Sequence, residues 1–204
     1  KIADELNIQH SFEIIDFSPT NADFWRPNYF KLFISHLSTY KDKIHLLKIA
    51  LEKYGISSFV AHDDIEPTRE WQNEIEKALF TMDALAAIIM PGFKESNWTD
   101  QEIGIALGRN KLIIPIRKGL DPYGFVAKYQ GFNSNGKSVD EVAEGIFSIC
   151  VKNKKTQANI IESLSNIIIN SNKKDILINL LNLLEKYNDI SFDVLIKVKD
   201  FYQN

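Results

Sequence analysis

The chain has 204 residues, 24 of them basic and 27 acidic, for a formal net charge of −3; 45% are hydrophobic and 25% charged. This is the composition of a folded globular protein and excludes a disordered chain. The slight negative charge excludes the basic surface with which a general nucleic-acid binder captures phosphate. A single cysteine, Cys150, excludes an internal disulfide or a cysteine zinc site, and the four histidines are scattered without metal-ligand spacing. No apolar run approaches the ~20 residues of a membrane helix. No signal-peptide pattern is visible, so a cytoplasmic location is expected.

Taken in chain order, Ile2–Ile15 reads as a possible short helix and Ser18–Pro27 as a loop. Phe30–Ser35 is a short apolar run of strand type. Lys41–Tyr54 then sets Ile44, Leu47, Leu51 and Tyr54 on one helical face, with Gly55 where a helix stops. Ile56–Ala61 is a second strand, and a helix from Thr68 or Glu70 to Phe80 turns Ile75, Ala78 and Leu79 inward. Ala84–Met90 lacks alternation, which predicts a third strand buried on both faces. Pro91–Gly92 ends it, and Ser96 is a candidate N-cap for a helix to about Arg109. Leu112–Ile116 is a fourth strand, Gln130–Phe132 a short fifth, and Ser138–Val151 a helix.

All nine glycines and all six prolines fall at or before Gly145, and all three tryptophans at or before Trp98. Because Gly and Pro mark turns between short elements, residues 1–145 and the remainder obey different rules. The remainder carries three apolar stripes at helical spacing: Ile160 to Ile168, Leu177 to Tyr187, and Phe192 to Tyr202. The division is an N-terminal extension over 1–28, an α/β domain over 29–151 and a helical extension over 152–204. That extension is expected to pack on its own α/β domain, in a dimer, or on a second domain.

Strands alternating with helices imply βαβ units and a parallel sheet. Ligands of such sheets bind beyond the C-terminal strand ends: here Ser35–Ser38, His62–Pro67, Pro91–Glu95 and Arg117–Pro122. There is no GxGxxG after the first strand, no GxxxxGK[ST] and no GxSxG, so the common phosphate loops and the hydrolase elbow are missing. The first strand ends without an acid, which excludes a phosphorelay receiver. Two adjacent aspartates, Asp63 and Asp64, without a third ligand do not make a Mg²⁺ site.

Three segments remain: FISHLSTYKD (Phe33–Asp42), HDDIEPTREWQNEIEKAL (His62–Leu79) and PGFKESNWTDQEIGIALGR (Pro91–Arg109). With FISHxS first, an acidic loop and WxxEIxxAL next, and SxWxxxE before a strand reading IIPI, the chain resembles the Toll/interleukin-receptor (TIR) domain family in its bacterial form, over about Tyr29–Val151. Where that family usually has Gly, this chain has Pro67-Thr68. The resemblance implies a flavodoxin-like parallel sheet of about five strands flanked by helices, with the helical extension following it. It also implies cleavage of the nicotinamide–ribose bond of NAD⁺, giving ADP-ribose or a cyclic isomer. NAD⁺ is then the substrate, and no cofactor or metal is required. The role implied is an effector or signal producer in antiphage defence.

The resemblance carries the catalytic role to Glu74, on the helix after the second strand. Loss of nicotinamide leaves oxocarbenium character on the ribose, which one carboxylate stabilises; the leaving group departs neutral, so no second acid is needed. Phe33, Ser35, His36 and Ser38 are implied as contacts of the nicotinamide ribose, with Asp63 in the loop near the pocket, Trp71 as a wall or a packing residue, and Arg109 (or Arg117) toward the pyrophosphate. Trp98 and Glu102 read first as structural, Trp98 in the core and Glu102 holding a loop. The implied partners are other TIR domains, and a sensor or effector through the C-terminal helices; neither membrane nor nucleic acid is expected. Two other functions stay open: a non-enzymatic TIR–TIR adaptor, and a nucleoside N-glycosidase or deoxyribosyltransferase using Glu102.

Overall fold

A computed structural model describes residues 24–60, 69–171, 173–186 and 196. Five strands form one parallel sheet: β1 (Phe30–Ser35), β2 (Ile56–Val60), β3 (Ala84–Ile89), β4 (Leu112–Arg117) and β5 (Phe132–Asn133). Their order is β2-β1-β3-β4-β5. The helices are α1 (Lys41–Glu52), α2 (Arg69–Thr81), α3 (Thr99–Gly108), α4 (Val139–Lys152), α5 (Gln157–Asn170) and α6 (Lys174–Lys186). The possible helix at Ile2–Ile15 and the third tail stripe, Phe192–Tyr202, lie outside the described residues, Ile196 aside.

Side-chain alternation divides the core in two. Phe30, Leu32 and Ile34 of β1, with Ala84, Ala86 and Ile88 of β3, join α1, α4, α5 and α6 in one cluster. Phe33, Leu85, Ala87 and Ile89 face the other way, onto α2 and α3. Every residue of β3 is buried, as its unbroken apolar run requires of a central strand covered on both faces.

Gly55 acts as the sequence implies, and the structure adds a capping box at Ser138. Gly55 ends the turn after α1 at φ +68°, a conformation that L side chains rarely adopt. Ser138 caps α4: its hydroxyl accepts from the Glu141 amide at 3.2 Å, while the Glu141 carboxylate accepts from the Ser138 amide at 2.7 Å. These bonds hold the Glu141 carboxyl below its ordinary range. Ser96 behaves differently. The N-cap of α3 is Trp98, without a side-chain cap bond, and the Ser96 hydroxyl accepts from the Trp98 amide at 3.3 Å, shaping the turn before the helix. Trp98 itself is half-buried, and the core position nearby belongs to Phe93. The fifth strand is centred on Phe132–Asn133, slightly later than its apolar residues suggest, because it ends where Asn133 aligns with Arg117.

The C-terminal helices join the α/β core. Ile160, Leu164 and Ile168 of α5 and Leu177, Leu180 and Leu184 of α6 lie in the same cluster as α1 and α4. Asn159 donates to the Asp83 carboxylate at 3.0 Å, and the Lys155 ammonium to Asn110 Oδ1 at 2.6 Å. Asp83 and Asn110 precede β3 and β4, so α5 and the turn before it cover the N-terminal edge of the sheet. The C-terminal edge is left to the loops. Among the described residues no helix is long and apolar enough to cross a membrane, and no group of His, Cys, Asp or Glu could hold a metal ion.

Candidate functional site

β1 delivers its last residues to the C-terminal edge of the sheet. Ser35 is fully buried, and among the described residues its hydroxyl has no hydrogen-bond partner. By alternation it shares the Phe33 face of the sheet, beside Ala87 of β3, the face that α2 and α3 cover. A buried hydroxyl without a partner costs free energy, so it is a place where a bound group would be welcomed. His36 is 4% exposed and its Nδ1 lies 3.3 Å from the Ile34 carbonyl oxygen. Ser38 opens a short 3-10 turn, Ser38–Tyr40, leading into α1. Phe33 is fully buried and stacked on Phe59 with ring centroids 5.5 Å apart, so its side chain belongs to the core.

The start of α3 is fixed at the same edge. The Thr99 hydroxyl donates to the Phe93 carbonyl at 2.7 Å, tying the helix to the loop after β3. The Tyr123 hydroxyl donates to the Asp100 carboxylate at 2.7 Å, tying it to the segment after β4, and the Lys94 ammonium sits 4.6 Å from the Tyr123 ring centre. Burial, the bond to Asp100 and the Asp100 charge all raise the Tyr123 pKa, so the phenol keeps its proton. In this anchored first turn lies Glu102, only 3% exposed. A carboxylate is rarely so buried without a purpose, and the amide dipoles of a helix N-terminus favour its charge.

Glu74 lies on the same face of the sheet but is exposed, as are Gln72 and Asn73; Ile75 of that turn is the buried residue. It is the sixth residue of α2, about 7 Å along the axis from the helix start. Trp71 belongs to α2, but its side chain, and all of Asp63, lie outside the described residues.

The two arginines separate. Arg109 follows the C-terminal end of α3, at the sheet edge away from Ser35; it donates to the Phe80 carbonyl at 2.8 Å with its guanidinium 4.5 Å from the Phe80 ring centre. Its work is to join α3 to α2. Arg117 closes β4 at the ligand edge, bonds Asp121 at 3.2 Å, and has a buried Nε without a partner. Ser35, His36, Ser38, Glu102 and Arg117 therefore lie along one edge, and Arg109 does not. The sequence hides the Asp100–Tyr123 tie, because the two residues are distant in sequence and neither is a specified position of a motif.

A scan against family models matches the TIR domain over residues 32–145. No significant match is found among curated proteins. Among solved structures, the chain is similar to the TIR domain of the Toll-related receptor TRR-2 of the lower metazoan Hydra magnipapillata, at 20% identity and TM-score 0.43, covering 58% of this chain and 92% of that one. It is also similar to the TIR domains of the activated Roq1 resistosome recognising the pathogen effector XopQ, at 16% identity and TM-score 0.39, covering 78% and 99%. The family model spans more than half of the chain and runs from β1 into α4, across the strands and loops that carry the site. The chain belongs to the TIR domain family.

Proposed function

We propose that the chain cleaves the nicotinamide–ribose bond of NAD⁺, with Glu102 as the carboxylate that stabilises the ribosyl cation. The carrying observation is the burial of Glu102 in the anchored first turn of α3, at the C-terminal edge of the sheet. Glu74, the residue selected by the family resemblance, is the second candidate; its exposure leaves its charge screened by water, where it does less for a developing cation.

The C1′–nitrogen bond breaks as its electron pair returns to the pyridine ring, so nicotinamide leaves neutral and needs no proton. The positive charge appears on the ribose, opposite the carboxylate. Water then adds at C1′ and loses a proton, giving ADP-ribose; attack at C1′ by a nucleophile of the same ADP-ribosyl cation, such as an adenine nitrogen, gives a cyclic isomer instead. The Ser35 hydroxyl and the His36–Ser38 segment supply polar contacts for the ribose. Arg117, rather than Arg109, is the cation at this edge that can meet the pyrophosphate. TIR–TIR association and a role in defence signalling belong to the same proposal.

Chromatography of concentrated protein incubated with NAD⁺, and separately with deoxynucleosides, tests the activity. Nicotinamide release from NAD⁺ is expected. Base release from deoxynucleosides with NAD⁺ left intact would contradict the reading in favour of a deoxyribosyltransferase. Inertness toward both at every concentration would contradict it in favour of an adaptor.

A further inference from the structure

On the face of the sheet opposite Ser35 lies a second concavity that the NAD⁺ reading does not use. Ile44 and Leu47 of α1, Ile88 of β3, Ile116 of β4, and Val139 and Val142 of α4 form its apolar part, and its volume is about 200 Å³. An apolar cavity of about 150 Å³ accommodates benzene, so this one takes a body of roughly one ring. Its charged lining is cationic, Lys43 from α1, Lys118 after β4 and Lys137 before α4, beside the neutral Tyr40, Ser134 and Ser138.

Among the described residues none of these three ammonium groups is paired with a carboxylate. Lys137 lies 5.8 Å from the Phe132 ring centre. Of the acids on the flanking helices, only Glu141 feels the charge of one of these lysines, Lys137, and among the described residues it forms no ion pair with it. Asp140 is engaged by Lys53 at 2.7 Å, Glu141 accepts from the Ser138 amide at 2.7 Å, and Asp42 is exposed in the first turn of α1. Three like charges at one cavity repel, and an anion entering it relieves that repulsion while its apolar portion leaves water.

We propose that this cleft between α1 and α4 binds a small amphiphilic anion: one carboxylate or phosphate monoester head held by Lys43, Lys118 and Lys137, and one ring-sized apolar body on Ile44, Leu47, Ile88 and Ile116. Lysines act as point charges and do not demand the fork geometry of one particular oxyanion, so the two heads share one chemistry. The site is separate from the Ser35–Glu102 edge, because Ile88 and Ile116 belong to the α1–α4 cluster, whereas alternation sets Ser35 on the α2–α3 face.

The test is methyl NMR of the full chain titrated with phenyl phosphate, benzoate, inorganic phosphate and phenol. Phenyl phosphate, benzoate or both are expected to shift the Ile44, Ile88 and Ile116 methyls saturably, with whichever binds identifying the head. Phosphate or phenol alone should bind at least about tenfold more weakly. Lys118→Met/Lys137→Met, and independently Lys43→Met, should weaken binding by about tenfold or more with the methyl spectrum otherwise retained, and Glu102→Gln should leave it unchanged. Saturation by inorganic phosphate or phenol as tight as by phenyl phosphate would overturn the proposal. So would shifts confined to the Leu85 and Ile113 face, binding indifferent to the lysine changes, or no saturable shift with any probe.

Discussion

At the scale of single residues, burial decides more than identity. Ser35, Glu102 and Arg117 matter because of where the chain turns, and two glycines show how closely those turns are fitted. A Cβ on Gly55 would come within 2.9 Å of Leu164 while φ stays at +68°. Gly55→Ala is therefore expected to destabilise by about 1–3 kcal/mol, read from the urea midpoint. Gly145 stands inside α4, where alanine is normally better by about 0.5–1 kcal/mol, yet its missing Cβ is the space that the Phe132 ring fills. Gly145→Ala should be destabilising despite its helix propensity; a raised urea midpoint would contradict this packing. At the α4 cap, Ser138→Ala should cost about 1 kcal/mol. Glu141 has a depressed pKa, so its charge-dependent contribution is present above the ordinary carboxylate range and is lost as pH falls through the lower folded value. The stability gap between wild type and Glu141→Gln should close as pH falls below about 4 and stay open at neutral pH.

At the scale of elements, much was legible in the chain. The unbroken apolar run of β3, the stop at Gly55 and the inward Ile75, Ala78 and Leu79 follow from periodicity and helix-stop signals, which act over a few residues. What stayed hidden depends on distance. Nothing local tells Trp98 from Ser96 as the cap of α3, since the Ser96 hydroxyl is spent on the turn. Nothing local separates Arg109 from Arg117, although a helix length carries the first to the far edge of the sheet. Glu74 and Glu102 each follow a tryptophan by about one turn, and only the packing of their helices exposes one and buries the other. The apolar stripes of the tail were readable, but their partner was not; Leu164 and Leu180 meet the same cluster as α1 and α4. Leu164→Ala is expected to cost about 2–5 kcal/mol, and a chain ending at residue 152 should lose thermal stability by several degrees or more. Unchanged melting on that truncation would contradict the packing of α5 and α6.

At the scale of the whole molecule, the two edges of the sheet divide the labour. The N-terminal edge is closed by α5 and the turn before it, Asn159 bonding Asp83 and Lys155 bonding Asn110. The C-terminal edge presents Ser35 and Glu102 on one face, and a lysine-lined cleft on the other. The described part of the tail thus supports the fold from the side opposite the proposed site, and its loss would reach that site only through the sheet. With a net charge of −3, the molecule has no overall field that attracts an anion, so the proposed NAD⁺ binding rests on local groups such as Arg117 at the end of β4. The central claim is that Glu102 is the carboxylate that cleaves NAD⁺. Its most direct test is the initial rate of nicotinamide release by wild type, Glu102→Gln and Glu74→Gln at equal concentration, with circular dichroism confirming that each is folded. The account predicts that Glu102→Gln lowers the rate by about 100-fold or more, while Glu74→Gln stays within a few-fold of wild type. Loss in Glu74→Gln with activity retained in Glu102→Gln would contradict it.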